Sequence, residues 1–111
     1  MKLTGKAALV TGGGTGMGRA ITLKLAAEGA CVAINYSRRA KEADETIEAA
    51  HRLGARAFAM KADVSIESEA VGLVEETVKQ FGRLDVLVNN AGWSTIVPHR
   101  KLDGLTEEVL E

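Results

Sequence analysis

The residues with the clearest chemical potential are glycines. Five of them fall within seven positions in Thr11-Gly12-Gly13-Gly14-Thr15-Gly16-Met17-Gly18, between a short apolar run and a stretch of helical period. A helix N-terminus has unpaired N–H groups and a partial positive charge, so it attracts phosphate, and a diphosphate comes close only where side chains are absent. Gly12, Gly16 and Gly18 supply that bareness. Gly14 and Thr15 complete the candidate binding surface. A P-loop needs two glycines five positions apart followed by Lys and Ser or Thr; Gly13 and Gly18 have the spacing, but Arg19 and Ala20 follow. Gly-x-Gly-x-x-Gly fits Gly12 and Gly14 but meets Met17 at its third site. The pattern that fits is Thr-Gly-x-x-x-Gly-x-Gly. The alternative is a plain strand-to-helix turn without ligand, for which five glycines are more than a turn requires.

Elements that place this turn are legible on either side. Residues 7–11 and Cys31-Val32-Ala33-Ile34-Asn35-Tyr36 read as strands, as do Ala57–Met60 and Val86–Val88. Between them, Met17, Ile21 and Leu25 predict a helix over Gly16–Glu28. Ala40, Ala43, Ile47 and Ala50 predict a second, and Val71, Val74, Val78 and Phe81 a third. Gly29, Gly54 and Gly82 are the expected stops and Ser65 a candidate N-cap. Thr106-Glu107-Glu108 looks like a further helix start after the loop holding Pro98. Strands alternating with helices imply an α/β fold, a Rossmann-type doubly wound parallel sheet, of which residues 1–111 hold the first four strands and three helices. The expectation is an incomplete dinucleotide-binding domain, cut at the start of the helix after strand four.

Composition removes other classes. The net charge of −1, from 14 basic and 15 acidic residues, gives no general attraction to nucleic acid or membrane. No apolar run approaches the roughly 18 residues of a membrane span. The first six residues hold no apolar stretch of a signal peptide, and a single cysteine, Cys31, fits a reducing compartment; the expected location is the cytoplasm. His51 on a helix and His99 in a loop lack a second ligand nearby, so no metal site is read.

Three motifs together resemble the short-chain dehydrogenase/reductase family over Leu3–Glu111. They are Thr-Gly-x-x-x-Gly-x-Gly at 11–18, Asp63-Val64 after strand three, and Asn89-Asn90-Ala91-Gly92 after strand four. Each closes a predicted strand, where a parallel sheet binds its ligand. The resemblance implies that Asp63 accepts from an adenine amino group and that Val64 contacts the ring by its backbone. It implies that Asn90, Ala91 and Gly92 line the ribose and nicotinamide, that Asn89 ties strand four to its neighbour, and that Met17 lies beside the nicotinamide. Asp63 also reads as a helix cap, and Met17 as core.

An NAD-preferring site carries Asp or Glu at the end of strand two. Asn35-Tyr36-Ser37-Arg38-Arg39 has no acid before Glu42. Tyr36, Ser37, Arg38 and Arg39 therefore suit a 2′-phosphate, and NADP is expected over NAD. Arg38 and Arg39 also stand at the positive end of helix two, where a bound phosphate would offset their unfavourable placement; the alternative is two solvated arginines beside Glu42, Asp44 and Glu45.

The family resemblance implies hydride transfer between NADP(H) and a carbonyl or secondary alcohol, with a catalytic Ser and Tyr-x-x-x-Lys. The only tyrosine is Tyr36, followed four residues on by Ala40, so no catalytic residue is assigned and this chain alone is expected to be inactive. Ser94, Thr95 and Trp93 are possible neighbours of a substrate. The resemblance further implies a homo-oligomer, dimer or tetramer, acting on a small molecule. The competing expectation is a nucleotide-binding module without catalysis, a redox sensor or interaction protein.

Overall fold

Ala7–Thr11 is buried at every position, and a strand with no wet face belongs in the middle of a sheet covered on both sides. The computed structural model, which describes residues 2–90, puts it there. In chain order the elements are β1 (Ala7–Thr11), α1 (Gly16–Ala27), β2 (Cys31–Tyr36), α2 (Ala40–Arg52), β3 (Ala57–Lys61), α3 (Glu67–Phe81) and β4 (Val86–Asn89). All strands are parallel in the order β3-β2-β1-β4. Val10 pairs with Ile34 on one side, and Thr11 with Asn89 on the other. This is the expected Rossmann-like α/β arrangement. Ala91, Gly92, Trp93, Ser94, Thr95, Pro98, His99 and the expected helix start at Thr106 lie outside the described residues.

Alternation along the strands decides which helix covers which face. Ala8, Val10, Val32 and Ile34 pack against Ala26 of α1 and Ala43 and Ala50 of α2. Leu9, Ala33 and Leu87 face the other way, onto Ala70, Leu73 and Val74 of α3. Leu9, Ile34 and Leu73 are the largest fully buried apolar side chains, each stabilising the fold by about 1.5–3 kcal/mol.

Helix and strand limits agree with the sequence patterns to within a residue or two, and Gly29, Gly54 and Gly82 stand just past the three helices with positive φ. The buried stripes differ. On α1 the most buried line is Gly18, Thr22 and Ala26 rather than Met17, Ile21 and Leu25, and Met17 is 72% exposed. On α2, Thr46 joins Ala43 and Ala50 inside, whereas Ala40 is exposed. On α3, Ala70, Leu73, Val74 and Thr77 face the core and Val78 is turned outward. On α1 and α2 small or hydroxyl-bearing residues let the helix sit close to its neighbours, which a search for large apolar residues overlooks. Ser65 is not the N-cap of α3: Ile66 holds that place with no side-chain bond, and the Ser65 hydroxyl instead donates to Asp63 Oδ1 at 2.5 Å.

Candidate functional site

Parallel strands put all their carboxyl ends on one edge of the sheet, and every described candidate residue lies there. Gly12 follows β1, Tyr36 closes β2, Asp63 stands two residues past β3 and Asn90 follows β4. A cleft of about 190 Å³ opens between the β1–α1 turn and the end of β2. Gly12, Gly14 and Thr15 line it from the turn; Asn35, Tyr36, Ser37, Arg38 and Arg39 line it from β2 and the start of α2. Two groups some 20 residues apart in the chain thus meet at one hollow. Gly16, Met17, Gly18, Asp63, Val64 and Asn90 do not line it.

The turn depends on its glycines for two different reasons. Gly12 (φ +63°) and Gly16 (φ +54°) adopt the left-handed region that other residues enter only with strain. Gly18 answers to packing: a Cβ there would run into the Gly12 carbonyl oxygen and lie 2.6 Å from Asn90 Nδ2. Gly16 is open, since a Cβ would meet nothing within 4 Å. Thr15, the N-cap of α1, makes no side-chain capping bond, and the first turn carries no acid. The N–H groups at this helix start are therefore uncapped by side chains, below free space and within a positive dipole end. That combination fits a diphosphate.

Polar side chains hold the turn in place, and Asn35, Thr11, Thr22 and Thr46 among them were not foreseen as site residues. Asn35, 4% exposed, accepts from the Gly12 N–H at 2.7 Å and donates to the Ala62 carbonyl at 2.9 Å, joining the ends of β1, β2 and β3. Asn90 Nδ2 donates to the Gly12 carbonyl at 3.2 Å, so the Gly12 residue is gripped from two sides. Thr11 Oγ1 lies 3.2 Å from Asn89 Oδ1 and 3.3 Å from the Val88 carbonyl, in keeping with Asn89 tying β4 to its neighbour. Thr22 donates to the Gly18 carbonyl at 2.8 Å, and Thr46 to that of Gly14 at 3.0 Å. The available signal was a polar residue inside an apolar run or stripe, at positions 22, 35 and 46.

Charge is distributed along the rim. Arg39 approaches Glu42 at 3.8 Å with both side chains largely exposed, a pairing of little energetic weight. Among the described residues Arg38 makes no ion pair, so its guanidinium is available at the cleft. Asp63 is exposed; the Ser65 hydroxyl and the Ser65 N–H (3.0 Å) hold its carboxyl below the ordinary carboxylate value. Its own N–H donates to Glu69 Oε1 at 2.7 Å. Asp63 is therefore not the cap of α3, whose N-cap is Ile66; its carboxylate instead closes the tight turn at Ser65 ahead of the helix. The side chain of Val64 belongs to the core under α3.

The family model described as short chain dehydrogenase matches residues 6–109. The chain is 46% identical over 109 residues to a short-chain dehydrogenase/reductase homolog, YusS, of Bacillus subtilis, covering 98% of this chain and 100% of that one. It is 47% identical over 98 residues to a hydroxynaphthalene reductase of Aspergillus fumigatus, covering 88% of this chain but 36% of the other. Among solved structures, a short chain dehydrogenase from Burkholderia cenocepacia in complex with NADP superposes with a TM-score of 0.81 at 42% identity, over 97% of this chain and 43% of that one. The chain therefore spans the whole of one relative and about two-fifths of the others.

Proposed function

The chain belongs to the short-chain dehydrogenase family, and from that premise we propose that it is the cofactor-binding part of an oxidoreductase that moves hydride between NADP(H) and a carbonyl or secondary-alcohol carbon. The observation that carries the cofactor reading is the cleft itself: uncapped amides of α1 on one side, and a β2 end bearing Ser37, Arg38 and Arg39 but no carboxylate on the other. A carboxylate at the β2 end would select the ribose 2′-hydroxyl and repel a 2′-phosphate. Guanidinium and hydroxyl groups do the reverse. The relative from Burkholderia cenocepacia was solved with NADP, which supports the same preference.

In this reading the turn residues Gly12, Gly14, Thr15 and Gly16 receive the diphosphate, with Met17 and Gly18 in the same first turn. Arg38 and Ser37 bind the 2′-phosphate, with Arg39 and Tyr36 flanking it. Asp63 and the Val64 backbone receive the adenine. Asn90, with Ala91 and Gly92 of its motif, serves the ribose and nicotinamide side. The nicotinamide ring supplies or accepts the hydride when bound. The work of this chain is to bind and orient: a rigid turn, fixed amide directions and a cationic rim. No proton-relaying residue is assigned, because Tyr36, the only tyrosine, lines the cleft beside Ser37 and has Ala40, not Lys, four residues on. The 111-residue chain is accordingly proposed to bind cofactor without turning over substrate. A small carbonyl or alcohol as substrate, self-association and a cytoplasmic location belong to the same proposal; among the described residues no helix is long and apolar enough to cross a membrane.

The test is paired titration of the protein with NADPH and NADH, repeated after Arg38→Ala. Loss of one guanidinium–phosphate bond weakens NADPH by about tenfold or more, and NADH by less than about threefold. Equal losses for the two cofactors would remove the NADP assignment, and no binding of either would remove the cofactor reading.

A further inference from the structure

Resting on the reading that the β1–α1 turn holds a diphosphate, we infer that Thr46 and Arg19 are positioning residues that aim the Thr15 N–H into the cleft. Thr46 is wholly buried in the middle of α2, between Ala43 and Ala50 on the same face. Threonine is a poorer helix former than alanine, and a buried hydroxyl must find partners, so this position is occupied at some expense to the helix. Two of its three partners lie outside α2. Oγ1 accepts from Arg19 Nη1 at 2.9 Å, and its one proton is shared between the carbonyls of Gly14 and Glu42, each at 3.0 Å. With Arg19 on the acceptor side, the hydroxyl proton is directed toward a carbonyl. Gly14 also rests directly on α2, since a Cβ there would lie 2.9 Å from Ala43 Cα.

The consequence follows from the peptide plane. In a trans peptide unit the C=O and the N–H point in opposite directions. The Gly14 C=O is turned inward to Thr46, so the N–H of the same unit, which belongs to Thr15, is turned outward. Gly14 and Thr15 both line the cleft, and Thr15 is the uncapped N-cap of α1. The helix whose start bears Arg38 and Arg39 thereby also sets the direction of a donor at the diphosphate turn. Both halves of the cofactor site are referred to one rigid element.

The experiment uses the 111-residue chain, isotopically labelled, with NADPH as the probe. Wild-type binding tests the cofactor reading. The Gly14 carbonyl-carbon resonance, read through the Thr15 amide in ligand-free protein, tests the placement independently. Thr46→Val keeps shape and loses the hydroxyl; it is expected to shift that resonance and weaken NADPH about tenfold, at a temperature where melting curves show it folded. Thr46→Ser returns the resonance to its wild-type position and the affinity to within about twofold, and Arg19→Met gives a smaller loss of about threefold. If Thr46→Val does not fold, Arg19→Met, read by the same resonance and the same NADPH titration, still decides the matter. Folded variants with wild-type affinity and an unmoved Gly14 resonance would overturn the inference. If wild type fails to bind NADPH, the cofactor reading falls, and the Gly14 resonance alone then says whether Thr46 sets that peptide.

Discussion

Replacing Asn35 with leucine probes the junction on which the cleft depends. The side chain is 4% exposed and satisfies two backbone groups, the Gly12 N–H at 2.7 Å and the Ala62 carbonyl at 2.9 Å. Leucine has similar volume but offers neither a donor nor an acceptor. Each orphaned buried group costs about 1–3 kcal/mol, and the added apolar burial returns roughly 1 kcal/mol. The net loss is therefore about 1–5 kcal/mol, to be set against the 5–15 kcal/mol or so that holds a typical domain together. At about 4–8 °C per kcal/mol for a domain of this size, Tm should fall by roughly 4–40 °C. Thermal melts followed by circular dichroism read the loss, and hydrogen exchange of the Gly12 amide reads its local cause. That amide should exchange faster in the variant even at temperatures where the sheet is intact. A Tm within about 3 °C of wild type, with Gly12 still protected, would refute the assigned role of Asn35.

Two glycines of opposite character make a matched pair. Gly18→Ala forces a methyl onto the Gly12 carbonyl and Asn90, and should cost about 1–3 kcal/mol in urea unfolding. Gly72→Ala, inside α3 with nothing within 4 Å of the new Cβ, should stabilise by about 0.5–1 kcal/mol; the opposite signs are the check. Asp85 joins the starts of β4 and β1. Arg83 bonds both its oxygens at 2.7 and 2.8 Å and chiefly holds its carboxyl below the ordinary 3.8, partial burial works against this, and the Ala7 N–H at 2.9 Å adds to the lowering. A folded-state value below the unfolded one means that the contribution is complete above about pH 4 and is lost as pH falls through the lower folded value. Melting temperatures across that acid range should fall more steeply for wild type than for Asp85→Asn; parallel curves would exclude Asp85 as a source of acid sensitivity.

Much of the fold is local in origin and could be read along the chain. Short apolar runs such as 7–11 and 31–36 have the length of strands, and the glycines after each helix mark its end. The cluster at 12–18 identifies a phosphate-type turn because an absent side chain is a property of the residue itself. The missing acid after β2 is legible for the same reason. Contacts between distant residues are different in kind. Asn90 and Gly12 are 78 positions apart, Asn35 and Gly12 are 23, and Thr46 and Gly14 are 32. Whether such groups meet depends on strand order and register, which place β1 between β2 and β4.

For that reason the sequence determined that a bare, anion-attracting turn exists and that a cationic segment lies about 20 residues beyond it. Only the tertiary structure decided that the two face one cleft, that Gly18 serves packing, and that Met17 points outward. Periodicity records which side of a helix is apolar, but the closest approach between elements belongs to the smallest residues. Gly18, Thr22 and Thr46 are therefore found by packing, where Met17, Ile21 and Leu25 had stood out by size.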